Sequence, residues 1–326
     1  MSRVVVTGGA GFVGSHLVKI LTDEGHDLFV LDAFNQYISP PIDPLYAYNI
    51  NYRFEHFINN AEVVRCNTNN KDEVRRKFSS IKPEYVVHFA ALPLANMAIE
   101  YSEEAFGTIV GGTVNLLEVL RDGNYLSRFV YISSSMVYGD FKKVPITEDC
   151  EKEPKEIYGG MKLAGEYMVK VYSQRYDMPY SIVRPSAIYG PTDNNRRVVG
   201  IFLTNAVKGD KIRAKNAEHT VLDFSFVEDV AEGIKLVTFS DKAHNQVFNI
   251  TRGRGRTLKE LVEVIMAVYP NVEVEYVEGD SFRPNRGALD ISKAKSFLGY
   301  LPRYDLEEGI VKYSEYLEES FRATKG

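Results

Sequence analysis

Within the first fourteen residues an apolar run, Arg3–Thr7, breaks into the glycine pattern Gly9-x-Gly11-x-x-Gly14 and passes straight into a helical pattern beginning at Phe12. No other segment constrains the chain as much. Gly9 permits a tight turn, Gly11 lets the backbone come close to a pyrophosphate, and Gly14 lets the helix pack closely on the strand. The helix N-terminus adds unpaired N–H donors and the positive end of its dipole. Eighteen residues beyond Gly14, Asp32 closes the second apolar run, where a carboxylate accepts from both hydroxyls of a ribose and repels a 2′-phosphate. The pattern predicts a dinucleotide site that takes NAD rather than NADP, with Gly8, Gly11, Phe12, Val13, Gly14 and Asp32 at the cofactor. Asp32→Ala is expected to narrow that preference.

Short β-branched runs then keep alternating with helical patterns: Leu28–Leu31, Glu62–Arg65, Asp72–Ser79, Tyr85–Phe89, Glu103–Arg121, Phe129–Ser133, Ile157–Tyr176 and Tyr180–Val183. This order predicts an α/β fold, a doubly wound parallel sheet of the Rossmann type with helices on both faces. Between Asp32 and Glu62 the rhythm gives way to YISPPIDPLYAYNINYRF, read as an ordered excursion over the ligand edge of the sheet. Beyond Pro185 the alternation loosens, with a strand near Leu222–Phe226, helices near Asp229–Thr238 and Leu258–Val268, and a last helix from Leu306. The expected division is an NAD-binding domain over residues 1–185 and, mainly, a smaller α/β substrate-binding lobe over 186–326, with the chain crossing back once into the first.

Composition narrows the function classes. The 39 Lys and Arg against 44 Asp and Glu leave a net charge of −5, without the basic excess that grips a phosphate backbone. No apolar run reaches membrane length, so neither nucleic acid nor membrane is an expected partner. Cys66 and Cys150 are too few for a disulfide framework, and the six histidines never recur at i, i+4. The expectation is a cytoplasmic protein without a metal site.

Tyr158-Gly-Gly-Met-Lys162 sets a phenol and an ammonium one helical turn apart. A neighbouring ammonium favours the phenolate, drawing a pKa of about 10 towards the range of a useful general base. The run FVYISSS ends in hydroxyls, and its Ser134 is placed to hydrogen-bond a substrate hydroxyl that Tyr158 deprotonates.

These segments resemble the extended short-chain dehydrogenase/reductases, and within them the NAD-dependent nucleotide-sugar epimerases and dehydratases, UDP-glucose 4-epimerase-like enzymes among them. The resemblance rests on TGGAGFVG with Asp32, HFAAL at 88–92, SSSMVYG at 133–139, YGGMK at 158–162, RPSAIYGP at 184–191 and LDISKAKSFLGYLP near the C-terminus. It implies Tyr158 as base, Lys162 as ribose ligand and modifier of the phenol, and Ser134, four residues before the Tyr of VYG, as their partner. Ala90 and Ala91 would line the cofactor and Asn67 would lie beside its adenine, while His88 reads as a satisfied core residue. The family's usual contacts are replaced by Ile109, Ala187 and Leu222, and Ser135, Arg196, Arg213 and Arg283 are the substrate-binding candidates, Arg283 foremost because FRPNRGALD matches the substrate loop. Arg197 and Arg286 are further candidates. A homodimer through the helices Glu103–Arg121 and Ile157–Tyr176 is also implied.

By the same resemblance, Met136 stands where a dehydratase or decarboxylase carries an acid, and the segment lacks the Cys of a 3,5-epimerase. A 4-epimerase acting on a nucleoside-diphosphate sugar, by transient oxidation at C4, survives this elimination. Two alternatives stand beside it. One is a 4-dehydrogenase that releases a 4-keto sugar, and the other is a non-catalytic NAD(H)-binding regulator, which would have no use for an intact Tyr158–Lys162 pair.

Overall fold

The computed structural model describes residues 1–35, 44–93, 95–195, 197–279 and 284–324. Its centre is a parallel sheet of seven strands: β1 (Arg3–Thr7), β2 (Asp27–Asp32), β3 (Glu62–Arg65), β4 (Tyr85–His88), β5 (Arg128–Ile132), β6 (Tyr180–Arg184) and β7 (Gln246–Asn249), in the spatial order β7-β6-β5-β4-β1-β2-β3. Val4, Val5, Val6, Val86, Val87, Phe129 and Val130 are all fully buried, because helices cover both faces of these central strands. The strand order reverses between β1, which pairs with β2 on one side and β4 on the other, and a doubly wound sheet opens its ligand crevice there, at the carboxyl ends.

The chain returns to this sheet late. β7 pairs with β6 in register Gln246↔Ser181, and the helix Val227–Phe239 packs on the first helix, Phe12–Asp23. The second lobe is built from short pairs, Ile212–Lys215 with Val274–Val277, Val221–Asp223 with Gly255–Thr257, and Ile188–Tyr189 with Ser225–Phe226, around a separate apolar cluster that includes Phe202, Leu203, Leu261, Ile265 and Tyr313.

Two segments differ from the sequence reading. The excursion after Asp32 contains a helix, Pro44–His56, while residues 36–43 lie outside the described ones. Pro44 opens the helix at its first position, where a missing N–H costs nothing, so a residue that looks like a breaker is a start signal. Tyr48 and Tyr52 lie against Tyr316 of the last helix, Leu306–Thr324, whose hydroxyl donates to Asn49 Oδ1 at 2.7 Å. The single helix expected over Glu103–Arg121 is three pieces: Ser102–Phe106, a wider π turn Gly107–Gly111, and Gly112–Leu120. At Gly112, where the last piece begins, a Cβ would stand 2.6 Å from Thr68 Oγ1, so the helix passes close to the loop after β3.

Candidate active site

One continuous cleft of about 1330 Å³ runs from the glycine turn across the carboxyl ends of the strands into the second lobe. Pockets for a single small molecule run to about 300–1,000 Å³, so this one has room for a dinucleotide and a second ligand together. At one end Gly8 has φ +69°, and a Cβ on it would stand 2.8 Å from the amide of Ala90. A Cβ on Gly14 would stand 2.5 Å from Gly8 O, so side chains at either position would close the cradle. No side chain among the described residues caps helix Phe12–Asp23 at Gly11, which leaves its first-turn N–H groups to an anion. Asp32 accepts from the amides of Ala10 (3.2 Å) and Phe34 (2.9 Å), which fix its carboxylate at the rim, while burial raises its pKa. Phe12, Val13, Asn67, Ala90 and Ala91 line the same end, and Asn67 Oδ1 accepts from the Asn69 amide at 3.0 Å.

In the middle of the cleft lie Ser134, Tyr158 and Lys162. Helix Ile157–Tyr176 carries the latter two one turn apart. Lys162 is buried, its Nζ donating to Ile132 O at 2.7 Å and lying 5.8 Å from the centre of the Tyr158 ring. The expectation of a lowered phenol is not met by these residues on their own. Desolvation pushes Tyr158 up to about 12, opposed by Arg197, and desolvation likewise brings Lys162 down to about 7, opposed by Glu166. Burial, which disfavours the ammonium, thus takes away much of the charge that would have acted on the phenol.

Ser134 and its neighbours separate by direction. Ser134 is half-buried, and its Oγ accepts from the Met136 amide at 3.2 Å, leaving its O–H to donate into the cleft. Ser133 donates to Glu166 Oε1 at 2.6 Å. Ser135, a substrate-binding candidate, is 1% exposed and does not line the cleft, because the turn Ser135–Tyr138 tucks its side chain into the core.

Of the candidate arginines, Arg196 and Arg283 lie outside the described residues. Arg213 reaches the rim of the cleft, but it is exposed and paired with Glu275 at 3.1 Å across adjacent strands. Arg197 is held by Asp193 at 2.7 Å over the Phe12 ring, and Arg286 Nη1 lies 3.6 Å from Met136 Sδ. Ala187 and Leu222 both line the second-lobe end. His88 is a saturated core residue: its two ring nitrogens meet Thr7 Oγ1 (2.7 Å) and Thr113 Oγ1 (3.1 Å), and burial lowers it to about 3.

Sequence reasoning missed two groups. Behind the serines, Arg184 and Glu166 form a fully buried double contact, Nη2 to Oε2 at 2.7 Å and Nε to Oε1 at 2.8 Å, and Arg184 also donates to Tyr138 OH. A signal for it exists, since Glu166 continues the i, i+4 series of Tyr158 and Lys162 on one helix face. The other is Arg53, which lines the cleft from the helix Pro44–His56.

The family model described as the NAD dependent epimerase/dehydratase family matches residues 4–251. The chain belongs to this family. Among its relatives is UDP-glucuronate 4-epimerase 1 of Arabidopsis thaliana, 29% identical over 331 residues that cover 95% of this chain and 75% of the relative. The solved structure of UDP-glucose 4-epimerase from Thermotoga maritima with UDP-glucose aligns with a TM-score of 0.86 and 29% identity over 99% of both chains. UDP-glucose 4-epimerase of Thermus thermophilus, in complex with NAD, aligns with a TM-score of 0.84 and 27% identity over 97% of this chain and 98% of that one. This member of the NAD dependent epimerase/dehydratase family is thus an enzyme whose cofactor is NAD, and the uncapped helix, the glycine cradle and Asp32 fit that dinucleotide. Among its described residues no helix is long and apolar enough to cross a membrane.

Proposed function

We propose that the protein interconverts the C4 epimers of a nucleoside-diphosphate sugar. The observation that carries this reading is the single cleft in which the dinucleotide cradle and a second-lobe subsite both open on Ser134 and Tyr158. Relatives named as UDP-sugar 4-epimerases support it. Bound NAD supplies the acceptor for a hydride. Tyr158 takes the proton of the C4 hydroxyl as general base, Ser134 donates to that oxygen and orients it, and Lys162 holds the ribose side and the phenol's surroundings. Met136 beside them carries no transferable proton, so nothing at that position drives loss of water or carbon dioxide.

The test is incubation with NAD and a panel of uridine, guanosine, cytidine and thymidine diphosphate sugars in deuterated water, followed by NMR. The expected product is the C4 epimer without deuterium at C4, because a hydride returned to the same carbon never meets solvent. A stable keto sugar with stoichiometric NADH would replace the epimerase by a 4-dehydrogenase, and deuterium at C3 or C5 would reveal a base not described above.

The reading includes a homodimer. Of the apolar residues on the two helices, Ile109 and Leu117 are spent in the core, but Phe106 (57% exposed), Tyr167 (57%) and Val171 (51%) remain outside. An apolar patch of this kind on packed helices suits an isologous contact with a second copy. Light scattering is expected to give twice the chain mass at micromolar concentration, and Tyr167→Asp with Val171→Asp to give the monomer; a wild-type monomer would refute it.

A further inference from the structure

In the second-lobe strand Val221–Asp223, Leu222 lines the cleft while Asp223 is fully buried. Among the described residues no cation pairs with its carboxylate. Its partners are neutral donors from two other segments: Oδ2 accepts from the Leu289 amide (3.0 Å) and Thr251 Oγ1 (3.0 Å), and the Gly253 amide lies 3.1 Å from both oxygens. A carboxylate buried without a counter-charge depends on such bonds, and burial pushes this one up to about 6 against their pull. Leu289 belongs to a stretch whose Pro284, Asn285 and Arg286 line the cleft. Its other edge is tied to the segment that follows the serines at 133–135. There the Asn285 amide donates to Asp140 Oδ1 (2.8 Å), its carbonyl accepts from Phe141 (2.8 Å), and the Ile146 amide donates to Ala288 O (3.1 Å). Arg286 is the one cationic side chain of residues 284–289, and its Nη1 lies 3.6 Å from Met136 Sδ, two residues along from Ser134.

We propose that Asp223 is a positioning residue for the substrate: it fixes Leu289, and with it the stretch that carries Arg286, so that Arg286 meets the diphosphate of a sugar nucleotide. The inference rests on the nucleotide-sugar reading of the cleft given above. The bonds to residues 140–146 hold the stretch to the first domain only, whereas the Asp223 contact ties it to the second lobe and so sets how far Arg286 reaches across the cleft between them. Three residues span at most about 10 Å, so releasing Leu289 shifts the point from which the guanidinium reaches. Leu222 brings no charge to this end of the cleft, which leaves the anionic part of a ligand to cations from other segments. A guanidinium meets a diphosphate by bidentate bonds, and these depend on where its backbone is held. Asp223 itself touches no ligand and acts through Leu289.

The test is calorimetric titration of the NAD-loaded protein with uridine, guanosine, cytidine and thymidine diphosphates, the tightest of which is carried through the variants. Arg286→Ala is expected to weaken its binding by about tenfold or more. Asp223→Ala removes the acceptor of Leu289 and should weaken it to a similar degree, while NAD, titrated into cofactor-free protein, binds as before. Asp223→Asn keeps an oxygen at the Oδ2 position and should bind the nucleotide nearly as the wild type does. Asp223→Ala combined with Arg286→Ala should cost little beyond Arg286→Ala alone, because no guanidinium is left to misplace. The proposal is overturned if Arg286→Ala binds like the wild type, a result that holds even if Asp223→Ala fails to fold. It is overturned equally if the two losses add in the double variant, or if Asp223→Ala weakens NAD as much as the nucleotide, which marks a general structural role. A wild type that binds none of the four diphosphates overturns the nucleotide-sugar reading and this inference with it, whereas equal binding by the wild type and Asp223→Ala overturns this inference alone.

Discussion

Replacing Tyr158 by Phe is expected to lower turnover by about 10²- to 10⁴-fold, the range for losing a general acid–base, while the affinity for NAD changes little. The ring itself stays useful, because it packs against the buried cluster of Leu92, Met97, Ala98, Ala105 and Ile109 that steadies the start of its helix. Phe preserves that packing and removes only the oxygen. Desolvation holds the phenol near 12, so at neutral pH the residue carries its proton until its surroundings change, and the rate rests on how far the loaded site brings it down. Ser134→Ala should cost less, since it removes a hydrogen bond and no proton carrier. Single-turnover measurements with NAD and a sugar nucleotide, beside NAD titrations of each variant, separate chemistry from binding. If Tyr158→Phe kept most of its turnover, the base would have to lie elsewhere in the cleft. Ser135→Ala should leave turnover nearly unchanged, as its side chain is turned into the core.

Features with a fixed spacing are legible in the amino-acid sequence itself. The β1–turn–helix unit, Asp32 at the end of β2 and the pair Tyr158–Lys162 each follow from local geometry, where a strand, a tight turn or one helical turn sets the distances. Helices Ile157–Tyr176 and Leu258–Val268 have the boundaries that their periodicity predicts. The illegible parts depend on tertiary direction. Sequence order does not say which of three consecutive serines faces the cleft, because the chain turns immediately after Ser134 and sends Ser135 inward. Nor does it show that Arg213 will meet a glutamate on the next strand, or that Arg53, in a stretch full of Tyr and Pro, will end beneath the glycine turn. The direction of the phenol's shift escapes the sequence for a related reason: an i, i+4 lysine speaks for a charge nearby, whereas burial of that lysine, known only from the fold, takes much of the charge away.

The second large effect is expected at Glu166, a residue that touches neither ligand subsite. Glu166→Ala leaves the fully buried Arg184 without its carboxylate, and breaking one side of a buried ion pair costs about 3–5 kcal/mol of stability because a charge stays inside uncompensated. Two consequences reach the active site. Ser133 loses the acceptor of its hydroxyl directly beside Ser134, and Lys162 loses the carboxylate that opposes its desolvation, so its ammonium becomes harder to keep. Glu166→Gln retains an oxygen for Ser133 but no charge for Arg184, and it should fall between the wild type and Glu166→Ala. Urea unfolding provides the measurement, with Glu166→Leu combined with Arg184→Met as the decisive variant. When both charges are replaced by apolar groups no buried charge remains uncompensated, so the double variant should unfold at a higher urea concentration than Glu166→Ala. Its turnover should still be low, since the carboxylate that faced Lys162 and Ser133 is absent in both. A loss below about 1 kcal/mol in Glu166→Ala would mean that water or another group reaches Arg184, and the pair would then be no anchor for the serine strand end.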